Sequence, residues 1–67
     1  MLTITVNGRQ QEFESDLTGE ELLQLLDRNA ATLVVERNGQ IVPMQDFLAG
    51  RLLDGDVLEL VTLVGGG

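Results

Sequence analysis

Leu2-Thr3-Ile4-Thr5-Val6-Asn7-Gly8-Arg9-Gln10-Gln11-Glu12-Phe13 reads as a β-hairpin, and the rest of the chain organises around it. Residues 2–6 alternate apolar and polar side chains with period two, the mark of a strand with one face buried. Asn7-Gly8 is a strong turn signal, because both central residues of a tight hairpin turn must accept positive φ. The return strand spans roughly Arg9 to Glu14, with Gln11 and Phe13 on one face. This register predicts that Leu2, Ile4, Val6 and Phe13 point into the core.

A helix follows. Thr18 and Glu21 have the spacing of a capping box, and Leu17 and Leu22 that of a hydrophobic staple across it. Glu20 and Glu21 fall in the first turn, where the helix dipole favours negative charge. Leu22, Leu23, Leu25 and Leu26 supply an apolar stripe, and Asn29 is the expected stop of a helix of roughly three turns. Leu33-Val34-Val35-Glu36-Arg37 reads as a third strand, ended by a second Asn-Gly pair at 38–39. Gln40-Ile41-Val42 forms a short strand that Pro43 closes, lacking an N–H for the ladder. Met44 to Ala49 fits a single helical turn that seats Phe47 and Leu48 on the core. Asp54-Gly55-Asp56 is a tight turn before the final strand. The expected class is α+β, with a helix packed across one face of a mixed sheet and water on the other.

Composition narrows the function. The chain of 67 residues has no cysteine and no histidine, which removes thiol nucleophiles, thiolate metal sites and the commonest general base. No metal site is expected, and a self-contained enzyme is improbable on inventory. The formal charge is -7, from eleven acidic residues against four arginines and no lysine. Nucleic acid and anionic membranes, which need basic patches, are excluded as partners, and a basic partner surface is favoured. Without lysine, the protein cannot be linked to a copy of itself through a lysine side chain. No apolar stretch reaches bilayer-spanning length and no signal peptide is visible, so a cytoplasmic location is the default expectation.

The final apolar run, Val57-Leu58-Glu59-Leu60-Val61-Thr62-Leu63-Val64, leads into Gly65-Gly66-Gly67. If Leu58 and Leu60 face the helix, alternation places Glu59, Val61 and Leu63 on the open face of the sheet. Val61 and Leu63, with Val64 next to the tail, are the candidate docking residues. The expected division is a folded body over 1–64 and a flexible glycine tail over 65–67. Glycine lacks a Cβ, so such a tail can thread a narrow active site.

The order of elements, the Asp54-Gly55-Asp56 turn, the segment Asn38-Gly39-Gln40-Ile41-Val42-Pro43 and the ending Leu63-Val64-Gly65-Gly66-Gly67 resemble the sulfur carriers of the ThiS/MoaD family. The resemblance covers essentially the whole chain. It implies a ubiquitin-like β-grasp, a mixed sheet of four to five strands packed on one main helix. It further implies that a ThiF-type activating enzyme, using ATP and magnesium, adenylates the carboxylate of Gly67. Sulfur from a cysteine desulfurase route then leaves a thiocarboxylate, which a ThiG-type thiazole synthase receives. Gly67 would carry the sulfur, and Gly65 and Gly66 would tether it. Four residues from Val64 onward extend roughly 10–14 Å. No cofactor is expected on the chain itself, and the free protein is expected to be a monomer. Two related readings are a MoaD-type small subunit of molybdopterin synthase and a ubiquitin-like protein modifier. MoaD relatives usually carry a Pro-Pro pair before the glycines, where this chain has Val61-Thr62-Leu63-Val64, and that favours the thiamine branch. An acidic interaction module with an inert tail is the remaining alternative.

Overall fold

The computed structural model describes residues 1–63. The elements run β1 (Leu2–Val6), β2 (Arg9–Phe13), α1 (Gly19–Leu25), a 3₁₀ turn (Ala30–Thr32), β3 (Leu33–Arg37), β4 (Gln40–Val42), α2 (Met44–Ala49) and β5 (Val57–Thr62). The strands form one mixed sheet in the order β2-β1-β5-β3-β4. Only the β1–β5 pair is parallel; β1–β2, β3–β4 and β3–β5 are antiparallel. The α+β architecture with one main helix is the one expected from the element order.

Both hairpin turns are built by Asn-Gly. Asn7 and Gly8 have φ of 49° and 81°, and Asn38 and Gly39 have 52° and 85°, the left-handed pair that matches the twist of antiparallel strands. The first turn sets Leu2 opposite Phe13 and Ile4 opposite Gln11. Leu2, Ile4 and Val6 are buried as expected, and Phe13 packs half-buried against the same core. Leu33 and Val35 of β3, Leu58 and Leu60 of β5, and Leu17, Leu22, Leu23, Phe47 and Leu52 complete it.

Thr18 caps α1 through the reciprocal box: its hydroxyl accepts from the Glu21 N–H, and the Glu21 carboxylate accepts from the Thr18 N–H. The helix is shorter than expected and ends differently. It has seven residues, and Asp27 takes the left-handed conformation at φ 55°. The Arg28 N–H donates to the Leu23 carbonyl and the Asp27 N–H to the Gln24 carbonyl, the paired bonds of a Schellman stop. Asn29 is thus not the stop; its side chain caps the 3₁₀ turn by accepting from the Ala31 N–H. Leu25 also leaves the expected stripe, at 62% exposure. At 100° per residue it lies about 100° from the centre of the Leu22–Leu23–Leu26 face.

The contact between the helices rests on Gly19. Its N–H donates to the Gly50 carbonyl at 3.0 Å, and a Cβ on Gly19 would overlap the backbone carbonyl and the ring of Phe47. Backbone cannot yield as a flexible side chain does, so Gly19→Ala should destabilise the domain by about 1–3 kcal/mol. Urea unfolding would show it as a lower midpoint at unchanged slope; an unchanged midpoint would contradict the close approach.

Candidate functional site

The candidate site is the tail-ward end of β5 and the open face beside it. β5 is central, so it needs a neighbour on both sides, and two asparagine side chains help to supply them. On the β1 side, β1 turns away after Val6. The Asn7 N–H donates to the Leu58 carbonyl at 2.9 Å. Its side chain then acts as an extra ladder rung: the Leu60 N–H donates to Oδ1 at 2.7 Å and Nδ2 donates to the Leu60 carbonyl at 3.2 Å. On the β3 side, the Asn38 N–H donates to the Val57 carbonyl at 2.8 Å, and the Val57 N–H donates to Asn38 Oδ1 at 2.9 Å. Each asparagine therefore both makes a turn and pins the strand that leads toward the glycines. The dipeptide signalled the turns; the second role needed the fold.

The Asp54-Gly55-Asp56 turn is a junction as well as a bend. Asp54 Oδ1 accepts from the Thr3 N–H at 2.7 Å. Gly55, at φ 89°, donates its N–H to the Thr3 carbonyl at 2.8 Å. Asp56, 5% exposed, accepts from the Leu53 N–H at 2.8 Å and from Asn38 Nδ2 at 3.1 Å, and pairs with Arg37 Nη2 at 2.6 Å. Burial by itself would push the Asp56 carboxyl up. The Leu53 N–H, the Asn38 amide and the Arg37 guanidinium outweigh it and hold the group below its ordinary value of 3.8.

Further along β5, Arg28 Nη2 donates to Thr62 Oγ1 at 2.9 Å, and the Leu63 N–H donates to the Thr32 carbonyl at 2.7 Å. The strand is held through to Leu63. Val61 and Leu63 are 49% and 55% exposed on the face away from Leu58 and Leu60, as the alternation predicted. Val34 lies opposite Val61, and Ile41 and Val57 are further exposed aliphatics of the sheet. Val64, Gly65, Gly66 and Gly67, the other expected site residues, lie outside the described residues. Among the described residues there is no pocket, and no three His, Cys, Asp or Glu side chains gather to hold a metal ion. Among the described residues no helix is long and apolar enough to cross a membrane.

The sequence model of the ThiS family matches residues 4–67. The chain belongs to the ThiS family. This is the sulfur-carrier family that the residues pointed to, and the match falls on the thiamine branch of the two left open. It is 32% identical over 65 residues to the sulfur carrier protein ThiS of Bacillus subtilis, covering 96% of this chain and 98% of that one. A ThiS crystal structure from Geobacter metallireducens superposes with a TM-score of 0.81 at 33% identity, covering 98% of this chain and all of that one. A thiazole synthase of Paramagnetospirillum magneticum is 36% identical over 66 residues, which are 98% of this chain. The chain spans only about one fifth (20%) of that relative's length.

The pH dependence of stability follows from Asp56. A carboxyl held low in the folded protein adds stability above its unfolded value of 3.8, and that stability is lost as pH falls through the lower folded value. Asp56→Asn should lower stability by about 2 kcal/mol at neutral pH, and the difference from wild type should shrink on acidification below pH 3.8. Thermal melts of both proteins across pH check this. A gap that stays constant into acid would contradict the charged network.

Proposed function

We propose that this ThiS-family protein carries sulfur as a thiocarboxylate on Gly67 and delivers it to the assembly of the thiazole ring of thiamine. The observation that carries the reading is the family match running through Gly65-Gly66-Gly67, just beyond a strand pinned on both sides. A carboxylate is a poor acyl donor. A ThiF-type activating enzyme therefore adenylates Gly67 with ATP and magnesium, and pyrophosphate leaves. The outer sulfur of a persulfide supplied by a cysteine desulfurase route attacks the acyl carbon, and AMP leaves. A thiol then cleaves the acyl disulfide, freeing the thiocarboxylate and leaving a disulfide. A ThiG-type thiazole synthase takes the sulfur. The thiazole synthase that holds a matching segment within its own chain supports that last partnership.

The protein acts here as a co-substrate of its partner enzymes rather than as a catalyst, in keeping with the absence of cysteine and histidine. Gly66 and Gly65 give the carrier reach and slimness. Val61, Leu63 and Val64 dock the activating enzyme, so the body sits against the enzyme while the glycines enter its cleft. Exposed aliphatics beside the tail suit this role, because burying them in a complex recovers the transfer free energy that the free protein forgoes.

The test is a reconstituted thiazole-forming reaction of this protein with the activating enzyme, a cysteine desulfurase and the thiazole synthase. Deletion of Gly66 and Gly67 should abolish product. Leu63→Asp should leave the circular dichroism spectrum and melting temperature near wild type while weakening binding to the activating enzyme at least tenfold, or about 1.4 kcal/mol. Product formation by the truncated protein would rule out the carrier; unfolding of Leu63→Asp would place that residue in the core.

A further inference from the structure

The open face holds an arrangement that folding alone does not explain. The β3–β5 register sets Glu36 directly opposite Glu59, and Ile41 of β4 lies opposite Glu36 on its other side. Like charges directly opposed across an antiparallel pair destabilise a sheet, with Cα atoms about 5.5 Å apart in the hydrogen-bonded kind of pair. Along the strands the two carboxylates are bracketed by Val57 on one side and by the Val34–Val61 pair on the other. The acidic pair thus sits inside an aliphatic frame.

None of the four arginines pairs with Glu36 or Glu59. Arg37 is held by Asp56 at 2.6 Å, Arg28 by Thr62, and Arg51 lies 3.9 Å from Asp16. Arg9 stands opposite the buried Val6, in the register of the helix-covered face. There is no lysine. Among the described residues, neither Glu36 nor Glu59 has an ion-pair partner.

Resting on the carrier reading above, we propose that the Glu36–Glu59 pair is a socket for one basic side chain of the activating enzyme, an arginine ringed by aliphatic groups. Arginine fits best: its planar fork can meet two carboxylates at once, and it sheds water more readily than lysine. Its stem and the aliphatic groups around it cover Val34, Ile41, Val57 and Val61. Charge complementarity selects this occupant over the others. A second copy of the chain, docked face to face, would oppose two acidic pairs within molecules that each carry -7, and an anionic surface is repelled in the same way. The enzyme must also come close, since Gly67 lies four residues beyond Leu63 and an extended chain of that length spans at most about 14 Å. The unfavourable pair in the free protein thereby becomes a selective contact in the complex.

The experiment compares wild type with the double variant Glu36→Gln/Glu59→Gln, which keeps shape and removes charge. Affinity for the purified activating enzyme is measured by calorimetry at low and high salt, and melting temperature is measured alongside. The expected result is affinity lower by about tenfold at low salt, a flatter salt dependence, and a melting temperature equal to or above wild type. Unchanged affinity would overturn the socket. A lowered melting temperature would also overturn it, by giving the pair a structural role. Failure of the carrier reading shows separately, as wild-type protein that gains no sulfur from the activating enzyme, ATP and donor.

Discussion

β5, the last strand in the sequence, is the middle strand of the sheet, and most of the structure serves to place it there. It must pair with β1, formed at the other end of the chain, and with β3, so it closes contacts of the longest sequence separation in the domain. Leu58 and Leu60 are buried beneath the helices, each contributing about 1.5–3 kcal/mol of burial. In a chain of 67 residues with no cysteine to form a disulfide staple, that is a substantial share of a small stability. Asn7 from one hairpin and Asn38 from the other bond its backbone on either side, while Asp54-Gly55-Asp56 ties its entry to β1 and to the end of β3. The strand next to the glycines is therefore among the most constrained in the molecule.

That constraint shapes what a small acidic body can present to a partner. A tail on a wandering strand would spend binding energy on ordering the body as well as itself. Here β5 is bonded on both sides and held through to Leu63, so the body presents a fixed face. Aliphatic side chains of β3, β4 and β5 frame a pair of carboxylates on that face. Shape and charge are thereby read together, and electrostatic complementarity raises the rate of encounter as well as the selectivity.

Most of the fold was legible because its signals are local. Two Asn-Gly pairs, a Thr18–Glu21 capping box and period-two alternation in β1 and β5 each act within a few residues, and each placed its element correctly. The features that escaped depend on the third dimension. Gly19 matters because the Phe47 backbone lies against it, 28 residues away by numbering. Leu25 looked like part of an apolar stripe, but a two-turn helix has room for only one inward face. Asn29 carried the usual signal of a helix stop, yet Asp27 took the left-handed position two residues earlier. The opposition of Glu36 and Glu59 follows from the register of strands 20 residues apart, which no reading of either strand alone provides. Of the site, the exposure of Val61 and Leu63 was readable from alternation; the chemistry of Gly67 rests on family membership.

The central claim is that Gly67 carries sulfur, and intact-mass spectrometry tests it most directly. The protein is incubated with ATP, magnesium, a ThiF-type activating enzyme, a cysteine desulfurase, cysteine and a thiol reductant, and its mass is compared before and after. The expected result is a shift equal to the exchange of one oxygen for one sulfur, localised by fragmentation to Gly67. An unchanged mass, or an adduct placed on any other residue, would contradict it.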